Sequence, residues 1–397
     1  MKTLLYLSYH YEPDWSAGAF RNTALVRTLM ERYGDRLRIH VLCTQPNRYA
    51  GGPKSLPEKE VAGNLTVYRI PVPQHGNRFI KQIISFLHYR RGVKRIVSDQ
   101  EYDFTFASTS KLFTGHLAFE IFKARKIPYD LDLRDLFADN LRELIRIPLL
   151  NRLFSGIVRH FFERPVLRNA RHIHINSMGF RSNIPEDYPG EVHFHPNGID
   201  EAFLNWRQDE HLSAAPKQIC YAGNFGAAQG LHKIIPKVAK TLENTHRFVL
   251  IGDGSARDKL MRALERMEVK NVQWLPPVAR KELIAHYERS HYLLIHLNNY
   301  QSFEKVLPSK LMEYAAGNLP ILAGVAGQAR KFLEEEVKVN VFTFDPCDAD
   351  ALIGHLIQAP YRLQDRPEFV KSYDRGTISH RMAEVVWNEI NRRHEGA

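Results

Sequence analysis

The 397 residues are 44% hydrophobic and 25% charged, a balance that suits globular cores and argues against large-scale disorder, and the length fits two domains of roughly 200 residues each. Three cysteines, Cys43, Cys220 and Cys347, lie far apart with no CxxC pair, which argues against a disulfide framework or a cysteine zinc site and fits a reducing cytoplasm. Net charge is +11 and uneven: residues 1–200 hold 29 Lys and Arg against 20 Asp and Glu, the remainder 26 against 24, so an anionic partner is expected for the first half.

The chain begins with a short apolar run at 3–7 that carries Tyr6 and soon meets charge. It reads as a first buried strand and not as a signal peptide. No window offers the roughly 18 uninterrupted apolar residues of a membrane span. Strand-like runs follow at 38–43, 65–70, 103–107, 129–133 and 172–175, with helical spacing between them, as at 19–33 and 114–125. A second series occupies 218–222, 247–251, 272–275, 292–297, 320–323 and 339–344. The stretch 196–217 between the series is the least periodic and is the expected linker; 378–393, with Trp387, reads as a closing helix. This alternation predicts an α/β chain of two doubly wound domains, 1–200 and 201–375, with a terminal helix, 376–397, packing back on the first. Ligands of such sheets bind beyond the carboxyl ends of the strands, which predicts a site in a cleft where the two face each other.

Three segments of the second half carry chemistry. Tyr221-Ala222-Gly223-Asn224-Phe225-Gly226-Ala227-Ala228-Gln229-Gly230-Leu231 joins a strand to a helix. Its glycines would let the backbone approach a phosphate at a helix N-terminus, or they form a strand-to-helix turn without a ligand. Ile251-Gly252-Asp253-Gly254-Ser255 leads into a helix with Arg257 and Lys259, which either reach a diphosphate or merely flank a turn. Leu307-Pro308-Ser309-Lys310-Leu311-Met312-Glu313-Tyr314-Ala315-Ala316-Gly317 opens with Pro308 where a helix tolerates it. Ser309 and Glu313 are four residues apart and share a face, placed to hold a diphosphate and a ribose, or to form a capped surface cluster.

In this order the segments resemble the family 4 glycosyltransferases of the GT-B fold, in the branch that builds bacterial surface polysaccharides such as O-antigen and capsule. The junction Pro196-Asn197-Gly198-Ile199-Asp200 with Phe203, the loop 13–18 and the stretch Leu131-Asp132-Leu133-Arg134-Asp135-Leu136 add to the resemblance, which spans essentially the whole chain. It implies two Rossmann-like domains, an N-terminal one for the acceptor and a C-terminal one for a nucleotide-sugar donor. It also implies a retaining, metal-independent transfer without cofactor, in the cytoplasm or at the inner face of the cell membrane. The donor would be a UDP-sugar, with a GDP-sugar second, and the acceptor a lipid-linked or other glycan. Carried over, Gly18 would sit against the donor phosphates, and Gly223, Asn224 and Gly226 would line the opposite side. Arg257, Ser309 and Lys310 would serve the diphosphate, with Leu307 beside them. Glu313 would hold the ribose, and the loop around Val278 the base.

Two departures matter. Many relatives carry a Glu eight positions before the residue matched by Glu313; here Lys305 stands there, beside Glu304. Many also have a His after the strand that ends here in Arg134-Asp135, so Arg134 or Asp135 faces the reaction centre or forms a structural salt bridge. Asp130-x-Asp132 and Asp348-x-Asp350 lie in a strand and at a helix start, and the nineteen histidines form no HExxH or comparable cluster, so no metal site is expected.

The first half also carries two basic, amphipathic stretches. Leu150, Leu153, Phe154, Ile157, Val158, Phe161 and Phe162 recur at helical steps among Arg152, Arg159 and Arg164, after Arg142, Arg146 and Pro148. Residues 77–100 hold six Lys and Arg, among them Lys81, Arg90, Arg91 and Lys94, against one acid, around Phe79, Ile80, Ile83, Ile84 and Leu87. Stripes of this kind face a core; the charge excess predicts an anionic membrane surface. Charge alone without a nucleic-acid motif predicts no nucleic-acid partner. Two alternatives stay open: a nucleotide-sugar epimerase of the same architecture, and a catalytically weak nucleotide-sugar-binding partner in a glycan-assembly complex.

Overall fold

Parallel pairing organises both halves of the chain. The computed structural model describes residues 1–14, 16–46, 56–73, 79–109, 112–135, 156, 158, 160, 163–209, 216–358 and 360–392. Its contacts divide it into two units: Met1–Asn197 with Arg375–Ala397, and Gly198–Asp374.

The first unit is built on an eight-stranded sheet. Its strands are β1 (Lys2–Ser8), β2 (Leu37–Thr44), β3 (Lys59–Ala62), β4 (Leu65–Ile70), β5 (Phe104–Ser108), β6 (Tyr129–Leu133), β7 (His172–Ile175) and β8 (Glu191–Phe194). Their order is β3-β4-β2-β1-β5-β6-β7-β8, all parallel except β3 against β4. Residues Leu4 to Ser8 of β1 are all buried, as a strand covered on both faces requires. Helices α1 (Ala17–Tyr33), α2 (Phe79–Ser98), α3 (Leu112–Arg125) and α4 (Arg164–Arg168) belong to this unit.

The second unit has a six-stranded, wholly parallel sheet of β9 (Lys217–Ala222), β10 (His246–Ile251), β11 (Val272–Leu275), β12 (Tyr292–His296), β13 (Ile321–Gly324) and β14 (Val341–Phe344), in the order β11-β10-β9-β12-β13-β14. Around it lie α5 (Leu231–Thr241), α6 (Arg257–Arg266), α7 (Arg280–Glu288), α8 (Lys310–Ala316), α9 (Gly327–Phe332), α10 (Ala349–Gln358) and α11 (Pro367–Tyr373). Its core joins Ile219, Phe225, Ile234, Ile235, Phe248 and Leu294 into one apolar cluster.

The last helix, α12 (Arg375–Arg392), packs on α1 of the first unit. Met382, Val386 and Ile390 enter the cluster of Leu25, Val26 and Leu29, and Trp387 stacks on Tyr33 at 4.6 Å between ring centroids. Its heptad-like apolar stripe is thus matched by a neighbour that buries it.

Two expectations change. Residues 198–209 are part of the second unit and do not run as a free linker. Ile199 bridges Asp374 and donates to Tyr373 O at 2.7 Å, and Gln208 exchanges hydrogen bonds with Asn318 at 2.9 and 3.0 Å. In α2 the core takes Phe86, Tyr89, Val93 and Val97, which leaves Ile84 and Leu87 exposed beside Lys81, Arg91 and Lys94. Of the stripe at 150–162 only residues 156, 158 and 160 are described, with Val158 buried; the rest of it, with Arg142, Arg146 and Pro148, lies outside the described residues. No described helix is long and apolar enough to cross a membrane.

Candidate functional site

In each sheet the strand order reverses at one place, and that place sets where a ligand would find exposed strand ends. In the second unit the reversal falls between β9 and β12. The glycine-rich turn 223–230 leaves β9 there, and it is built against the 252–254 turn that leaves β10. Gly223 N donates to Ile251 O at 2.9 Å, Phe225 N to Asp253 O at 2.9 Å, and Ala256 N to Phe225 O at 2.7 Å. A Cβ on Gly252, whose φ is +140°, would lie 1.9 Å from Gly223 O, and one on Gly254 would lie 2.6 Å from the Phe225 carbonyl carbon. These two glycines are therefore required by one turn pressing on another.

The turn is also held from behind. Asn224 Nδ2 and Gly226 N both donate to Gln229 Oε1, at 3.0 and 3.2 Å. At the end of β12, His296 Nε2 accepts from Cys347 N at 2.9 Å, which leaves Nδ1 as the donor to Gln229 O at 2.6 Å. Burial lowers the His296 pKa to about 4, in keeping with this neutral form. The buried Asn298 donates to Ala227 O at 2.9 Å and accepts from Lys233 Nζ at 2.7 Å. His296, Asn298 and Lys233 were not among the expected site residues. The sequence signal was present in His296-Leu297-Asn298, polar residues where a buried strand ends at the switch point.

The third segment meets the end of β9 through α8. Ala222 N, the last donor of β9, bonds the Tyr314 hydroxyl at 3.0 Å. At the start of α8, Lys310 Nζ lies 2.6 Å from Glu313 Oε2, with Tyr287 OH 3.4 Å from Lys310 Nζ and 3.5 Å from Glu313 Oε2. Burial holds the Tyr287 hydroxyl well above its ordinary pKa, so it stays a neutral phenol beside this pair. Trp206 Nε1 donates to Glu313 O at 3.0 Å, and its ring fills the space that a side chain at Gly317 would need. The buried Arg366 donates to Leu319 O at 2.9 Å and Val339 O at 3.1 Å, bracing the chain beyond α8. Ser309 caps α8 by position, half-buried, with Leu307 buried before it.

Arg257 opens α6 directly after the 252–254 turn. It pairs with Asp253 at 3.3 Å and Asp258 at 3.0 Å and covers the Trp274 ring at 5.3 Å. Val278 lies half-buried in the loop between β11 and α7. Lys305 ends a short 3₁₀ turn, 301–305, half-buried. Asp348 accepts from Ala351 N at 2.9 Å as a helix cap, and Asp350 pairs with Lys237. Burial pushes the thiols of Cys43 and Cys220 up to about 12, which removes both as nucleophiles.

In the first unit the order reverses between β1 and β5. Gly18 is buried in the first turn of α1, whose N-cap Ser16 accepts from Ala19 N at 3.1 Å. One turn on, Arg21 reaches Asp132 of β6 at 2.8 Å and Pro196 O at 2.8 Å, and Ser108 donates to Asp132 at 3.1 Å. Burial alone would raise the Asp132 carboxyl, but Arg21 and then Arg134 outweigh it, so its pKa lies below the ordinary carboxylate value. Arg134 is different. Its Nη2 donates to Asn197 Oδ1 at 3.3 Å, while Nε and Nη1 are buried without an acceptor among the described residues. Burial lowers the Arg134 pKa to about 10, so the group remains a cation with donors to spare. Asp135 is exposed beside it. A cavity of about 630 Å³, lined in part by His160, Arg164, Leu167 and Ile184, adjoins α4.

The histidines need a correction. No sequence motif gathers them, but β7 and β8 run side by side and bring His172, His174, His193 and His195 together. Neighbouring ring centroids are 5.1 to 5.9 Å apart, and Asp130 lies behind His172 and His174. The legible signal was two His-x-His pairs, each with the period of a strand.

The family described as Glycosyl transferases group 1 matches residues 203–366. The second unit is a glycosyl transferases group 1 domain. This domain carries both glycine turns and α8. Over 211 residues the chain is 25% identical to WcaI of Escherichia coli K12, a protein assigned to colanic acid biosynthesis as a glycosyl transferase; the match covers 50% of this chain and 51% of that one. The chain thus matches about half the length of this curated relative. Among solved structures, a sucrose-phosphate synthase from Thermosynechococcus elongatus superposes with a TM-score of 0.70 at 13% identity, over 98% of this chain and 99% of that one. Anabaena Alr3699/HepE, in complex with UDP-glucose, gives 0.65 at 15% identity, over 98% and 100%. At such identities the likeness is one of fold, and the α/β class with two Rossmann-like units of GT-B type is the one present.

Proposed function

We propose that the protein is a retaining glycosyltransferase that moves a sugar from a nucleoside-diphosphate sugar to a lipid-linked glycan acceptor in surface polysaccharide assembly. The observation that carries this reading is the tie between α8 and the end of β9, where the Tyr314 hydroxyl accepts from Ala222 N just before the glycine turn 223–230 leaves the strand, inside the region that the Glycosyl transferases group 1 family matches. In this reading the backbone at 223–226 and the start of α8 receive the diphosphate, and the carboxylate of Glu313 takes the ribose hydroxyls once Lys310 turns to phosphate. Lys310 then offsets the charge of the departing diphosphate, work that a metal ion does elsewhere. A UDP-sugar is the favoured donor, since the structurally similar Alr3699/HepE is recorded with UDP-glucose. A surface polysaccharide is the favoured product class from the kinship with WcaI. Arg134, with two buried donors unused among the described residues, is the group of the first unit best suited to an anionic substrate.

The exposed face of α2 supports a peripheral membrane position. Ile84, Leu87 and Arg91 follow helical steps on one side, apolar and basic together. Each basic residue near an anionic surface contributes about 1 kcal/mol. Sedimentation with anionic vesicles at low salt is expected to capture the protein and to lose Ile84→Glu; equal recovery with neutral vesicles would remove this part of the reading.

The reaction is tested by supplying UDP-glucose, UDP-galactose or GDP-mannose with a bacterial lipid extract and EDTA, and following the products by NMR. Transfer with the donor's anomeric configuration kept is the expected result. Inversion would overturn the retaining assignment, and a released epimer without transfer would establish the epimerase reading instead.

A further inference from the structure

We infer that His172, Glu191 and His193 form a binding site for a divalent transition-metal ion of the zinc class, at the amino-terminal edge of β7 and β8. The two strands are parallel, with His172 paired to Glu191 and His174 to His193. Side chains two apart on a strand share a face, and this register lays them beside their neighbours on the next strand. Each of His172, Glu191 and His193 offers a ligand atom, and the three atoms lie within 4.8 Å of one another. A tetrahedral zinc site with bonds near 2.1 Å sets its ligands about 3.4 Å apart. Glu191, on the edge strand with its side chain 69% exposed, has the freedom to close the difference.

A second observation points the same way. Among the described residues, His193 Nε2 is buried with no hydrogen-bond partner and lies 3.4 Å from Glu191 Oε2, the other ligand of its strand. Asp130 and His174 are fully buried behind it. Asp130 Oδ1 is 3.3 Å from His172 Nδ1 and its Oδ2 is 3.6 Å from His174 Nε2. A carboxylate behind a ligating imidazole fixes the ring's tautomer and orientation, so Asp130 is the positioning residue of this site. Two imidazoles and one carboxylate suit zinc and its first-row neighbours, whereas magnesium and calcium favour oxygen alone. The partly exposed His193 and the exposed Glu191 leave a fourth position to water.

The site begins β7 and β8, whereas Asp132 and Arg134 stand at the carboxyl end of β6. Its role is to fasten the edge strand β8 to β7, and its existence does not depend on the transfer reaction proposed above. The ion adds stability to the folded chain in proportion to the logarithm of its concentration over its dissociation constant.

The test uses the full chain without a histidine tag, dialysed against chelator, in calorimetric titration and thermal melts with Zn²⁺ and, as a control, Mg²⁺. One Zn²⁺ per chain is expected, with a raised melting midpoint and no response to Mg²⁺. His193→Gln and Glu191→Gln are expected to weaken binding at least tenfold. Both positions reach solvent, so at least one variant remains folded, as its melt without zinc will report. No saturable zinc binding, or binding of unchanged strength in the folded variant, would overturn the proposal.

Discussion

The two switch points of this chain hold charge in opposite ways. At the one in the second unit, backbone groups do most of the work: glycine turns lean on each other, and His296, Asn298 and Gln229 pin them from behind. At the one in the first unit, ionised side chains are buried: Arg21 and Asp132 neutralise each other, and Arg134 stands alongside with donors unused among the described residues. A backbone site tolerates little change in shape, and a buried charge cluster tolerates little change in charge. Substitution can separate these two kinds of fragility.

The largest expected effect is on the charge side. Arg21→Met would leave Asp132 buried and unpaired, at a cost of about 3–5 kcal/mol, measured as a fall in the urea midpoint. A loss under 1 kcal/mol would mean that Ser108 and Arg134 suffice for Asp132. On the backbone side, Gly252→Ala places a Cβ against Gly223 O at a φ of +140°, and about 2–4 kcal/mol is expected from the strain. An unperturbed melt would show that the two turns part easily.

The pH dependence sharpens the comparison further. His296 takes a proton in the unfolded chain near pH 6.5 but in the folded chain only near pH 4, because of burial. The unfolded state therefore binds more protons between these values, and stability falls as pH drops through that window, by about 3 kcal/mol at most. In His296→Gln the slope of stability against pH across that window should flatten. An identical slope would assign the acid sensitivity to other groups. The smallest effect is a control: Lys237→Ala breaks the exposed pair with Asp350 and should cost under about 1 kcal/mol.

What could be read from the sequence follows the same division. Central strands such as β1, β5 and β9 announce themselves as apolar runs, and glycine turns as glycines. The short, polar edge strands β3 and β8 carry no such run and were not foreseen; only pairing in the sheet defines them. Gly252 and Gly254 were visible, but their reason was not, since it lies in the backbone of 223–225 folded against them. The Arg21–Asp132 pair joins residues 111 positions apart, beyond any local pattern. The stripe on α2 was read with Ile84 and Leu87 facing a core, because a helical period gives the faces of a helix without saying which is covered. The histidine cluster was missed for a like reason: each His-x-His pair is ordinary until β7 and β8 lie side by side.

The most direct test of the central claim is the titration of UDP, GDP and ADP into the folded chain and into Glu313→Ala, each binding monitored by calorimetry. The account predicts saturable binding of one diphosphate, UDP first, weakened at least tenfold in Glu313→Ala while the melt without ligand stays close to that of the unaltered protein. Absence of binding by all three, or equal affinity in the variant, would contradict a donor site at the glycine turns and α8.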